Sequence, residues 1–106
     1  QRYFSVPAEE ILNAELEVWR SALVEVQVNG QAQLCMVVEF YPEHLAGIHA
    51  ARIQTFKDKL HGFGFPVRHV LTYPHAFPVD RRHNSKIERH ILARWAQLQL
   101  DKGVPS

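Results

Sequence analysis

Lys86 and the ionisable residues just ahead of it are the part of this sequence best suited to chemistry on an anion. In Phe77-Pro78-Val79-Asp80-Arg81-Arg82-His83-Asn84-Ser85-Lys86-Ile87-Glu88-Arg89, the side chains of Asp80, Arg81, Arg82 and His83 precede the lysine. Ser85-x-x-Glu88 has the spacing of a capping box, in which each side chain satisfies the other's free backbone N–H at a helix start. That spacing predicts Ser85 as the N-cap and Lys86 as the first helical residue, with its ammonium reaching into the concavity of the loop. Helix-start N–H groups, the ammonium of Lys86 and the guanidinium groups of Arg81 and Arg82 would together favour a carboxylate or phosphate. A solvated helix start with ordinary surface charges would show the same residues. The residues alone leave both readings open.

The rest of the chain reads as a scaffold for that loop. Its 106 residues make one domain, with 46% hydrophobic and 22% charged residues, which are globular values. A formal net charge of +1 provides no field to attract a polyanion, which argues against general nucleic-acid binding. A weaker reading keeps local RNA or DNA contact through Arg81, Arg82, Lys86 and Arg89. Cys35 is the only cysteine, so no internal disulfide is possible and a reducing, cytosolic compartment is expected. No apolar run approaches the ~20 residues of a membrane span, and no signal peptide is visible.

Taken in order, Ser5-Val6-Pro7-Ala8-Glu9-Glu10 starts a helix, with Ile11, Leu12, Leu16 and Trp19 as its buried stripe, running to about residue 18. Residues 21–28 alternate as a strand, and Ala32, Leu34, Met36, Val38 and Phe40 alternate likewise beyond Asn29-Gly30. If each strand has one wet face, a three-residue loop pairing Val26 with Ala32 and Val24 with Leu34 keeps like residues together. A second amphipathic helix spans 48–61, with Ala50, Ile53, Phe56 and Leu60 buried and Arg52, Lys57, Asp58 and Lys59 wet. A third strand covers 67–71 or 72. The last helix buries Ile87, Ile91, Trp95 and Leu98 and ends near Leu100, with 101–106 as a flexible tail. The predicted fold is α+β, a small three-stranded antiparallel sheet of order 2-1-3 with three helices packed on it.

The seven histidines lack the helical spacing and third ligand of a zinc site, so no metal is expected. His83 stands apart only because it lies in the lysine loop. Cys35 reads as a packed small residue, and Trp19 and Trp95 as core. The prolines of Tyr73-Pro74-His75-Ala76-Phe77-Pro78 stiffen the approach to the lysine loop.

Lys86-Ile87-Glu88-Arg89, behind a proline-bearing loop and ahead of an amphipathic helix, resembles the closing lysine motif of the adenylate-forming superfamily. That superfamily includes acyl-CoA synthetases, nonribosomal-peptide adenylation domains and luciferases, and its usual motif is Pro-x-x-x-Gly-Lys-Ile-x-Arg. Val6-Pro7-Ala8-Glu9-Glu10-Ile11 looks like the family's Pro-x-Glu-Ile-Glu helix start, and the order of elements is also similar. Ser85 replaces the usual glycine before the lysine. In this respect the stretch 78–87 looks most like the olefin-biosynthesis branch, which closes β-hydroxy acids to β-lactones, and like related fatty-acid–CoA ligases.

The resemblance implies a small C-terminal domain that closes over a large N-terminal domain, which would be its partner. The large domain would hold the carboxylic acid substrate and most of the Mg²⁺-dependent ATP contacts, with CoA a possible second substrate. Lys86 would be the catalytic residue, bridging the acyl carboxylate and the nucleotide, with Arg81, Arg82, His83 and Ser85 beside the bound substrates. The family's hinge would lie just before Val6-Pro7, and the chain by itself would be inactive. The alternative is a free-standing α+β binding module whose basic loop holds an anion or another protein.

Overall fold

A computed structural model describes residues 5–83 and 86–103 of the chain. It is an α+β fold in which a three-stranded sheet carries helices on both faces. Strand β1 (Val18–Val28) and strand β2 (Gln31–Phe40) form the central hairpin. Asn29 and Gly30 connect them with φ of 52° and 78°. Positive φ at both positions is the signature of a tight two-residue hairpin turn, which Asn-Gly favours. Val28 therefore faces Gln31, Val26 faces Gln33 and Val24 faces Cys35, in place of the expected three-residue loop.

That expectation assumed one wet face along each strand, but both faces are dry over most of the hairpin, with Glu25, Gln27, Gln31 and Ala32 exposed near the turn. Leu23, Met36, Val38 and Phe40 pack under α1 (Ser5–Asn13) and α3 (Ala50–Gly62), with Leu12, Phe56 and Leu60. Ala22, Val24, Val26, Cys35 and Val37 pack under α4 (Arg89–Asp101), with Leu92 and Ala96. With apolar residues on either side, register is free to follow the turn. A short α2 (Pro42–Leu45) follows β2, one helix more than expected.

The sheet order is β1-β2-β3, with β3 (Val67–Thr72) parallel to β2, which corrects the expected antiparallel order 2-1-3. The physical reason lies at the outer edge of β1. Glu9 accepts the backbone N–H of Leu23 at 2.8 Å, while Gln97 accepts the N–H of Gln27 at 2.8 Å and donates to its carbonyl at 2.9 Å. Side chains from α1 and α4 thus satisfy backbone groups that another strand would have claimed. Helix α3 is the crossover that returns the chain beside β2 instead.

Helix α1 stops at Asn13, well before residue 18, and the two large residues expected in its stripe are exposed: Leu16 at 83% and Trp19 at 48%. Trp19 is the extra residue of a bulge, since Val18 faces Phe40 and Arg20 already faces Glu39. Its ring stacks on Tyr41 at 5.8 Å, with the Arg20 guanidinium 4.5 Å from its centroid. Leu98 is also outside the core, at 51% exposure, and Leu92 and Ala96 fill the buried stripe of α4. Trp95 is half-buried, edge-on to Tyr73 at 4.8 Å.

An ion network ties the α1–β1 connection to α3. Arg52 reaches Glu17 through Nε and Glu15 through Nη2, both at 2.7 Å, and Lys59 also pairs with Glu15. Arg52 holds the Glu17 carboxyl down to about 2, and Lys59, with Arg52, lowers that of Glu15. Carboxyls lowered on folding stabilise the fold above their unfolded value, and that contribution fades as pH falls through the folded value. Arg52→Met should therefore lower the calorimetric unfolding midpoint by a few degrees at pH 7, on the order of 1 kcal/mol. The difference from wild type should shrink as pH is lowered toward 2, and an equal deficit at both ends would contradict this assignment.

Candidate active site

Successive residues of a strand point to opposite sides, and this is what exposes Lys86. The short strand β5 (Lys86–Ile87) pairs antiparallel with β4 (Val79–Asp80), so that Ile87 faces Val79 and Lys86 faces Asp80. Ile87 packs against the core under α4, which turns Lys86 outward to solvent. Lysine 86 is therefore a strand residue and not the first residue of the helix. Helix α4 begins at Arg89, with Glu88 in the N-cap position and making no side-chain capping bond. The backbone N–H of Glu88 donates instead to the carbonyl of Pro78 at 2.9 Å, continuing the hairpin. A partner distant in sequence thus takes the donor that the capping box was expected to satisfy.

Of the other predicted site residues, Arg81 and Arg82 lie in a 3-10 turn, Arg81–His83, and are exposed. Asp80 accepts the backbone N–H of Arg82 at 3.0 Å, and the Arg82 guanidinium, 88% exposed, lies 3.7 Å from the same oxygen. His83 closes that turn, while Ser85 lies outside the described residues. Asp80, Lys86, Ile87, Glu88, Arg89 and His90 line an open depression of about 450 Å³. The tip of the hairpin exposes Lys86 on a backbone-paired strand and Arg81 and Arg82 in the adjoining turn. Such an arrangement can neutralise a carboxylate or phosphate brought to it.

Below the tip are two buried carboxylates that the sequence analysis did not assign to the site. Glu9, 7% exposed, accepts from Leu23 N–H and also from Arg89, through Nη2 at 2.5 Å and Nε at 3.3 Å. Glu39, 4% exposed, accepts from Arg20 Nε at 2.5 Å and from the backbone N–H of Phe77 at 3.0 Å. A signal for each was present in the sequence. Glu39 interrupts the apolar run of β2 between Val38 and Phe40, and Glu9 lies one helical turn before Leu12. A carboxylate in either place needs a cationic partner.

Among the described residues no group of three or more His, Cys, Asp or Glu side chains is placed to hold a metal. His61 and His69 contact the Val67 carbonyl and the Gln33 side chain at 2.6 and 2.7 Å. No described helix is long and apolar enough to cross a membrane.

No protein-family model matches the chain. The chain is 35% identical over 101 residues to an olefin β-lactone synthetase of Xanthomonas campestris, a match that covers 91% of this chain and 17% of that protein. Its fold matches an anthranilate–CoA ligase in complex with anthranoyl-AMP, with a TM-score of 0.74 at 18% identity over 92% of this chain and 19% of that one. A benzoate–CoA ligase from Burkholderia xenovorans gives 0.71 at 18% identity, over 84% of this chain and 18% of that one. The chain belongs to the adenylate-forming superfamily. As a member it spans only 17% of the length of the synthetase that it resembles in sequence, and the fold it shares with the ligases is a correspondingly small part of them.

Within this adenylate-forming fold Cys35 is fully buried, and burial pushes its thiol up to about 12. It should be inert to iodoacetamide at pH 8 in the folded protein and react in denaturant at least about a hundredfold faster, as mass spectrometry can follow. Comparable rates in the two states would contradict the burial.

Proposed function

We propose that the chain is the mobile C-terminal domain of an ATP-dependent acyl-adenylating ligase and that Lys86 is its catalytic residue. The observation that carries this is an exposed Lys86 standing on a backbone-paired, core-anchored hairpin, in a chain related to an olefin β-lactone synthetase. A large N-terminal domain would bind the acid and most of the ATP with its Mg²⁺, and this domain would close over it in the cytoplasm. A carboxylate oxygen then attacks the α-phosphorus, forming a C–O–P linkage as the bond from the α-phosphorus to the pyrophosphate oxygen breaks. The products are acyl-AMP and pyrophosphate.

The attack brings one anion onto another, and the ammonium of Lys86 would offset that repulsion and the charge that develops in the transition state. Lysine suits the role because it is a compact charge on a long stem, able to arrive and leave with domain movement. Arg81, Arg82, His83 and Ser85 would border the nucleotide. The likeness to an olefin β-lactone synthetase favours a fatty or β-hydroxy acid as substrate, and CoA could serve as a later acyl acceptor.

In the full-length enzyme Lys86→Ala should lower acid-dependent ATP–pyrophosphate exchange by about 10²- to 10³-fold. Turnover of a supplied acyl-adenylate should keep most of its rate. Exchange at the wild-type rate would overturn the role of Lys86.

A further inference from the structure

Short two-stranded ribbons hold their shape poorly without outside support. β4 and β5 have two residues each, yet they carry the lysine that must meet its substrates accurately. Support comes at the two ends of segment 77–89. On the incoming limb, Glu39 accepts the N–H of Phe77, a residue 3% exposed whose ring lies edge-on to Tyr73 at 5.6 Å. The guanidinium of Arg20, itself bonded to Glu39, lies 5.6 Å from the centroid of the Phe77 ring. On the outgoing limb, Glu9 takes the Arg89 guanidinium through both carboxylate oxygens while also accepting the N–H of Leu23 in β1.

We infer that Glu9 and Glu39 are positioning residues, a pair of buried carboxylates that clamp both limbs of the Lys86 hairpin to the sheet and so set where its ammonium arrives. Neither lines the depression beside Lys86, so each acts through the backbone or through Arg89. The bulge at Trp19 belongs to the same device, because it is what brings Arg20 opposite Glu39. The inference rests on Lys86 as the catalytic charge.

The test is kinetic and uses the full-length enzyme, with acid-dependent ATP–pyrophosphate exchange measured for Glu9→Gln and Glu39→Gln in both wild-type and Lys86→Ala backgrounds. In the wild-type background each should lower kcat about ten- to a hundredfold with little change in KM for ATP, the cost of a misplaced catalytic group. In the Lys86→Ala background neither should lower the residual rate further, because the group being positioned is gone. The same fold-loss in both backgrounds would mark a general structural role and overturn the inference, as would no loss in the wild-type background. Should a glutamine variant fail to fold, Arg89→Lys keeps the charge but loses the two-pronged grip. It should show the same dependence on Lys86 with a smaller loss, and a loss independent of Lys86 would overturn the inference. Wild-type exchange by Lys86→Ala alone would instead remove the catalytic reading on which the inference stands.

Discussion

The buried carboxylate of Glu9 is the constraint on which the arrangement depends. It lies on α1, satisfies a backbone donor of β1 and grips Arg89 at the first turn of α4, so a single side chain joins elements from opposite faces of the sheet. Removing one partner of a buried ion pair costs about 3–5 kcal/mol. Arg89 is 37% exposed, so this pair falls below that range, yet Glu9 would still be left as a charge with little access to water. The pair therefore fixes where α4 begins, and with it the strand that carries Lys86 three residues earlier.

Away from the hairpin turn, the covering of both sheet faces follows from the same economy of space. Helices cover both sides, and Glu9 and Gln97 close the outer edge of β1, so the charged chemistry is carried by the hairpin that projects from this body. The division suits a domain that delivers one charge. The body is held by apolar packing that is insensitive to what passes by, while the tip carries ammonium and guanidinium groups open to solvent. Between them, Glu39 and Glu9 tie the two limbs of the hairpin to that body, which is the basis of the positioning role proposed for them.

Much of this was legible in local pattern. The alternation of β1 and β2, the place of the hairpin between them, the stripe of α3 and the end of α4 all follow from residues near one another in the chain, although a two-residue turn stands where a three-residue loop was expected. What was not legible depended on distant partners. The order of the strands follows from what occupies the edge of β1, and Gln97 reaches Gln27 across 70 positions. The spacing Ser85-x-x-Glu88 is a sound local signal for a helix cap, but Pro78 supplies Glu88 with a better-placed partner and the helix starts later. Trp19 fits a helical stripe by spacing alone, whereas the bulge that exposes it exists because Arg20 must meet Glu39. The two carboxylates were visible as charges in apolar surroundings, but their purpose appeared only with their arginines.

The central claim is that this hairpin carries Lys86 to the reacting groups. Its most direct test is a crystal structure of the full-length enzyme with a non-hydrolysable acyl-adenylate analogue, in which the position of Lys86 Nζ is measured. The account predicts that nitrogen within about 3.2 Å of the analogue's oxygens, with Glu9 still on Arg89. A different cation in that place, with Lys86 turned to solvent, would contradict it.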